Sequence, residues 1–280
     1  MALVAVVSVK NGPGGSTTVM ALAATWPAYG AKGRAQPVVV EADPAGGDWM
    51  LRFNAASEPG LTTLAAAARH GDLSTTVLAQ HAQVLPGGTV VVLAPDRPER
   101  CQAALEGLAP VWEMADWAGD PRMVLADCGR LGRDSSALEP LLRAADAVVV
   151  VCRGSADSLG HAATAADRLR PLAKAVVVAV VGESAWAATE IMQALGVDGC
   201  RLLPRDEECA QMLRGTRFVP RLWRRKPSLD LFAGAGALVR DLERFLTPPA
   251  PATEAPAHRV AVAEPARADL SELIGSRRQP

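Results

Sequence analysis

Aromatic residues are scarce in this sequence: one Tyr, four Phe and six Trp make up 4% of 280 residues. Burial must therefore come from the Ala, Val and Leu that dominate the 49% hydrophobic fraction, a composition suited to a parallel sheet covered by helices. Charge of one sign is also missing. With 29 Lys and Arg against 30 Asp and Glu, the formal net charge is −1, which excludes a global pull toward nucleic acid or anionic lipid. The five cysteines (Cys101, Cys128, Cys152, Cys200, Cys209) form no CxxC pair and the four histidines are dispersed. That argues against a structural zinc centre and for reduced, mostly buried thiols in a cytosolic protein. No apolar run approaches the ~18–20 residues of a membrane span; the longest, "AVVVAVVG" at 175–182, has strand length. The apolar start "MALVAVVSV" lacks a basic leader and runs straight into a glycine turn, so it reads as a first strand rather than a signal peptide.

What is present is an alternation. Apolar, β-branched runs at about 3–9, 37–42, 89–94, 122–127, 146–152, 175–181 and 200–203 predict strands. Ala/Leu-rich stretches at 16–26, 61–69, 98–108, 135–144, 156–170 and 184–195 predict helices between them. Doubly buried strands alternating with helices imply a doubly wound, mainly parallel sheet, with ligands at the C-terminal strand ends. Residues 228–246 predict a last amphipathic helix carrying Leu231, Ala235, Leu238, Leu242 and Phe245 on one face. Its expected role is packing on the sheet. From Thr247 the chain becomes Pro/Ala-rich, which predicts a domain over 1–246 and an extended, disordered tail over 247–280. The terminal "DLSELIGSRR" has the pattern of a short helix formed on a partner.

The turn after the first strand reads "KNGPGGSTT" from Lys10 to Thr18. Gly12, Gly14 and Gly15 allow backbone conformations closed to other residues, so successive N–H groups can face a phosphate at the N-terminus of the following helix. Ser16 stands at the magnesium-ligand position of a P-loop, and Thr17 adds a second hydroxyl. The usual P-loop lysine is missing, because Gly15 precedes Ser16. Two other readings stay open here. One is a dinucleotide fingerprint with Glu41 as the ribose-binding acid, although Thr17 stands where its last glycine belongs. The other is a structural turn.

This stretch resembles the deviant P-loop KGGxGK[ST]T of the ParA/MinD family, with Lys10 matching the signature lysine and Asn11 replacing a glycine. Three further stretches follow in that family's order. "VVVEADPAGGD" (38–48) is similar to its second strand and switch I, with Asp43 at the catalytic, metal-linked aspartate and Glu41 in place of an earlier aspartate. "RMVLADCG" (122–129) is similar to Walker B, with Asp127 placed to hold magnesium through water and Gly129 to sense the γ-phosphate. "CRLLPRDEECAQMLRG" (200–215) is similar to the late segment that packs on adenine, putting Pro204, Arg205 and Asp206 near the base.

The resemblance implies a P-loop NTPase fold binding ATP and Mg²⁺. Lys10 and Asp43 would be catalytic. Asn11, Gly12, Gly14, Gly15, Ser16, Thr17, Pro204, Arg205 and Asp206 would contact nucleotide, and Ser16, Asp43 and Asp127 would serve the metal. It further implies a nucleotide-sandwich homodimer in which Lys10 reaches the partner's phosphates. Without a lysine at position 15, weak or absent hydrolysis is expected.

Eroded P-loops occur among TadZ/CpaE-like proteins, which localise pilus and secretion machinery. The implied partners are a protein of a pilus, secretion, conjugation or partition system, and DNA held without sequence preference. The implied place is the cytoplasm, on the nucleoid or peripherally at the inner face of the membrane. The basic stretch "RFVPRLWRRKP" (217–227) offers Arg221, Arg224, Arg225 and Lys226 for DNA phosphates; a solvated loop is the plain alternative. Two other classes remain: a non-catalytic scaffold acting through its surface and tail, and a small-molecule synthetase. No additional Cys, His or carboxylate constellation supports the synthetase.

Overall fold

The computed structural model describes residues 2–10, 12, 14–31, 36–69, 75–114, 123–132, 135–215 and 230–246. Strand β1 (Ala2–Ser8) leads through the glycine turn into α1 (Gly15–Tyr29). There follow β2 (Val38–Glu41), α2 (Trp49–Arg52), α3 (Leu61–Ala68), α4 (Thr75–Gln80), β3 (Gln83–Val84) and β4 (Val90–Val92). Then come α5 (Pro98–Met114), β5 (Met123–Arg130), α6 (Glu139–Ala144), β6 (Ala147–Gly154) and α7 (Ala156–Leu169). The described chain continues with β7 (Val176–Ser184), α8 (Ala188–Leu195), β8 (Gly199–Leu203), α9 (Glu207–Leu213) and α10 (Asp230–Leu242).

The sheet order is β3-β4-β2-β5-β1-β6-β7-β8. Neighbouring strands are parallel throughout except β3, which pairs antiparallel with β4 at one edge. The expected doubly wound α/β architecture is therefore the observed one. Strand alternation explains its two layers. Leu3, Ala5 and Val7 of β1 join Val124 and Ala126 of β5 and Val148 and Val150 of β6 under α3 to α8. Ala2, Val4 and Val6 join Met123, Leu125, Val149 and Val151 beneath α1, α9 and α10. Fully burying each Val, Leu or Met among them is worth roughly 1.5–3 kcal/mol before chain entropy is counted.

α10 lies on α1, with Leu231, Ala235, Leu238 and Leu242 buried as its periodicity predicts and Phe245 packed against them. Trp26 Nε1–H and the Ala31 N–H both donate to Glu243 Oε1, at 2.8 and 3.0 Å, which ties the end of α1 to the turn after α10. The five cysteines are free thiols. No helix among the described residues is long and apolar enough to cross a membrane.

The structure corrects several boundaries. The helix expected over 135–144 is a 3-10 turn (Ser135–Leu138) followed by α6, with Pro140 resetting the helix at its first turn. The helix expected from 184 starts at Ala188, because β7 continues to Ser184. Ser184 Oγ then accepts the Trp186 N–H (3.1 Å), and Glu190 Oε2 accepts the Ala187 N–H (2.7 Å). The short elements α2, α4, β3 and α9 fall outside the predicted set; each is seven residues or fewer, too short to show a period. Asn11, the basic residues Arg221, Arg224, Arg225 and Lys226, and the tail over 247–280 lie outside the described residues.

Candidate functional site

The sheet order reverses at β1, whose neighbours are β5 and β6. Ligand crevices in such sheets open at the carboxyl ends of the strands around this switch point. The first turn of α1 lies there. Gly14 has φ +90°, the left-handed region, and caps α1, with its carbonyl accepting the Thr18 N–H at 2.7 Å. Gly12 donates to the Val9 carbonyl at 2.8 Å, and a Cβ on Gly12 would lie 2.6 Å from the Val151 carbonyl oxygen. The turn is thus pressed against β6, and only a glycine fits.

Side-chain parity assembles the rest. Glu41, Asp127, Ser8 and Arg153 stand on the α1 face of β2, β5, β1 and β6, continuing the rows Val39, Leu125, Val6 and Val151. Across the strand ends, this face reads acid, acid, hydroxyl, base. Asp127 is 2% exposed. Burial pushes its carboxyl up to about 6, against hydrogen bonding from the Ser16 hydroxyl and the Gly129 N–H that favours the charge. The Gly129 N–H reaches Asp127 Oδ1 at 3.3 Å. Position 127 thus combines the expected buried carboxylate with its hydroxyl partner.

Asp43 packs on Gly129 from the β2 side. Its Oδ1 accepts the Ala45 N–H at 2.8 Å, and its carbonyl accepts from the Gly46 N–H (3.0 Å) and Cys101 Sγ (2.9 Å). Burial raises its carboxyl above the ordinary range. Asp43, Ser16 and Asp127, distant in sequence, converge on one corner. Cys101, which sequence reasoning treated as a plain buried thiol, holds the main chain of that corner.

Glu41 has a different job from the ribose-binding role considered for it. It is 2% exposed. Its Oε1 accepts the N–H groups of Asp48 (2.8 Å) and Trp49 (3.0 Å), and its Oε2 accepts that of Ala94 (3.0 Å). The carboxylate is an internal anchor that fastens the segment after Asp43 and the start of α2 to the end of β4. Burial pushes it to about 7 despite those donors, with the Asp127 charge adding to the rise.

A cleft of about 980 Å³ runs from this turn across β6 and β7 to α9. Gly14 and Thr17 line one end, and Pro204, Arg205 and Asp206 the other. Residues from the first and last sequence motifs therefore share one cavity. Asp206 also caps α9, with Oδ1 accepting the Cys209 N–H at 3.0 Å. The lining adds residues that motif reading missed, chiefly Arg153, Glu183 and Arg214. Arg153 had one signal, a lone charge ending the buried run "AVVVVC".

Lys10 is exposed in the turn after β1 and does not line this cleft. Gly15 opens α1, and a Cβ there would meet Ser8 Cβ at 3.4 Å, an ordinary contact. Among the described residues, no three His, Cys, Asp or Glu side chains converge to hold a metal alone. The donor set at hand is hard oxygen, Ser16 with Asp127 and Asp43 nearby. It fits Mg²⁺ completed by phosphate oxygens and water.

No protein-family model matches the sequence, and no curated protein matches it significantly. Solved structures do match. MinD of Pyrococcus furiosus, a cell division ATPase, superposes with a TM-score of 0.61 at 19% identity, covering 87% of this chain and 98% of that one. The septum site-determining protein MinD of Pyrococcus horikoshii, complexed with Mg-ADP, gives 0.60 at 16% identity, covering 85% and 95%. A ParA family ATPase from Chlorobium tepidum gives 0.59 at 15% identity, covering 85% and 97%. At these identities the likeness concerns architecture, and the chain has the fold of the ParA/MinD P-loop NTPases.

Proposed function

We propose that this chain is a nucleotide-binding switch of the ParA/MinD type, binding ATP with Mg²⁺ in the cleft and hydrolysing it slowly or not at all. The observation that carries the reading is the shared cleft. Gly14, Thr17 and Thr18 on one side and Pro204, Arg205 and Asp206 on the other, joined by nothing local, line it at the switch point of the sheet. The volume of the cleft, about 980 Å³, suits a nucleotide, with phosphates at the glycine turn and the base at Pro204. One solved relative by fold, that of P. horikoshii, carries Mg-ADP.

In this reading the N–H groups at the start of α1 bind phosphate oxygens. Ser16 and Asp127, whose side chains are hydrogen-bonded to each other, would hold the metal, Ser16 through its hydroxyl and Asp127 through water. Asp43, partly buried beside Gly129, is positioned to take up a proton from an attacking water. Bound Mg²⁺ would neutralise charge on the β and γ phosphate oxygens. No ammonium stands at position 15 to do the same at the bridging oxygen, which is why turnover is slow.

Two copies closing over ATP would bring each exposed Lys10 to its partner's phosphates. Differential affinity of ATP for the closed pair would make nucleotide a dimer switch. That dimer would position a pilus, secretion or conjugation apparatus, or DNA during partition, with Arg221, Arg224, Arg225 and Lys226 available for DNA backbone.

Thermal melting with ATP–Mg²⁺, paired with light scattering and a phosphate-release assay, tests this directly. A raised melting temperature and a doubled mass without phosphate release are expected. No shift at millimolar nucleotide would replace the switch with a scaffold whose P-loop has decayed.

A further inference from the structure

We propose that Arg153 is the phosphate-binding cation of this site, supplying from β6 the charge that position 15 lacks. The inference rests on the nucleotide reading of the cleft and names the residue that makes it work.

Three observations lead to it. First, β6 is the strand against which the glycine turn is pressed. The Val9 N–H donates to the Val151 carbonyl at 3.2 Å, and Gly12 approaches that same carbonyl. Arg153 is two residues further along β6. Parity therefore places its side chain on the face of Val149 and Val151, which packs α1. Second, Arg153 lines the cleft together with Gly14, Thr17 and Thr18. Third, its guanidinium is uncommitted. The residue is exposed, and among the described residues its guanidinium makes no hydrogen bond or ion pair; its main chain pairs with β7 and its N–H donates to Ser158 Oγ at 2.9 Å. An exposed arginine at the end of a fully apolar strand, aimed into a cavity, has no structural duty to explain it.

The other two arginines of the cleft are less suited. Arg205 follows β8 and Arg214 ends α9, and Arg214 Nη2 already faces Glu207 Oε1 at 3.8 Å. Strands lie about 4.8 Å apart, so β8 is roughly 14 Å from β1 whereas β6 is one spacing away. Arg205 and Arg214 are within reach of the base end, and Arg153 of the phosphate end. The site then divides its charge about β1. Asp127 stands on the β5 side, where with Ser16 it would serve a metal, and Arg153 stands on the β6 side, where an uncompensated phosphate oxygen would lie. A guanidinium forks onto two phosphate oxygens, which a lysine cannot do.

The experiment is calorimetric titration of ADP, ATP–Mg²⁺, adenosine and inorganic tripolyphosphate into wild type, Arg153→Ala, Arg153→Gln and Gly15→Lys/Arg153→Ala, each first shown to melt cooperatively. Loss of one charged hydrogen-bonding partner should weaken ATP and tripolyphosphate by about tenfold or more. Adenosine should bind all four proteins alike, and Gly15→Lys should restore ATP binding to the Arg153→Ala protein. If wild type binds ATP and both Arg153 variants bind it equally well, Arg153 is not the cation and the inference falls while the nucleotide reading stands. If wild type binds tripolyphosphate through Arg153 but gains nothing from adenine, the anion site stands and the nucleotide reading falls.

Discussion

Gly129 and Asp43 are packed so closely that a Cβ on Gly129 would collide with the Asp43 carboxyl group. Gly129 also has φ +60°, the left-handed region. The end of β5 and the loop after β2 can meet only across a glycine, and this contact holds the Asp43 carboxylate beside the Asp127 corner.

Gly129→Ala should therefore expel Asp43 from that corner. A stability loss of about 1–3 kcal/mol is expected from backbone strain and overpacking. Denaturant unfolding measures it. Mg²⁺-dependent ATP binding should fall further than Mg²⁺-independent binding, and equal losses in both would argue that Asp43 does not serve the metal.

Gly15→Lys should be tolerated. The position is helical, and its Cβ would contact Ser8 Cβ at 3.4 Å. Restoring an ammonium to a polyphosphate site is worth roughly 1.5–3 kcal/mol of binding, so ATP should bind about tenfold or more tightly. Phosphate release should rise above the wild-type rate if Asp43 and Asp127 are catalytically placed. Tighter binding with no turnover would assign the missing hydrolysis to more than one lost residue.

Stability without nucleotide should fall as pH rises. Burial holds Glu41 at about 7 and Asp127 at about 6 in the folded chain, against 4.5 and 3.8 for the free groups. Both folded values are raised, so between these limits the folded state binds more protons than the unfolded one. The stabilisation is complete below the unfolded values and is lost as pH climbs through 6 and 7. The slope is roughly 1.4 kcal/mol per pH unit for each proton at stake. Melting temperatures from pH 4 to 8 should show the decline, and Asp127→Asn should flatten its acidic half. An unchanged slope in that variant would show that Asp127 does not titrate in the window.

Asp206→Ala removes the α9 cap, in which Oδ1 accepts the Cys209 N–H at 3.0 Å. A cost of about 1 kcal/mol is expected from chemical denaturation. Because Asp206 also lines the base end of the cleft, discrimination between ATP and GTP should narrow in the same variant. Loss of stability with discrimination unchanged would reduce Asp206 to a helix cap.

The strand–helix alternation, the two-faced burial of the valine runs and the glycine turn were legible in the sequence because each is local. Strand parity and helix periodicity repeat within a few residues, and a turn is set by the glycines inside it. The last helix was legible for the same reason, through Leu231, Ala235, Leu238 and Leu242. What the sequence could not decide by itself was which side chains meet. Glu41 carries the same chemistry whether it binds a ribose or fastens a loop; the N–H groups of Asp48, Trp49 and Ala94 settle its part, and they reach it only through the folding of β2 and β4 together. Arg153 drew no reading in the sequence, and only the pairing of β6 with β1 put it on the same cleft as Gly14. Electrostatics and hydrogen bonding act through space, and the order of strands in the sheet, which no local pattern encodes, decides the distances over which they act.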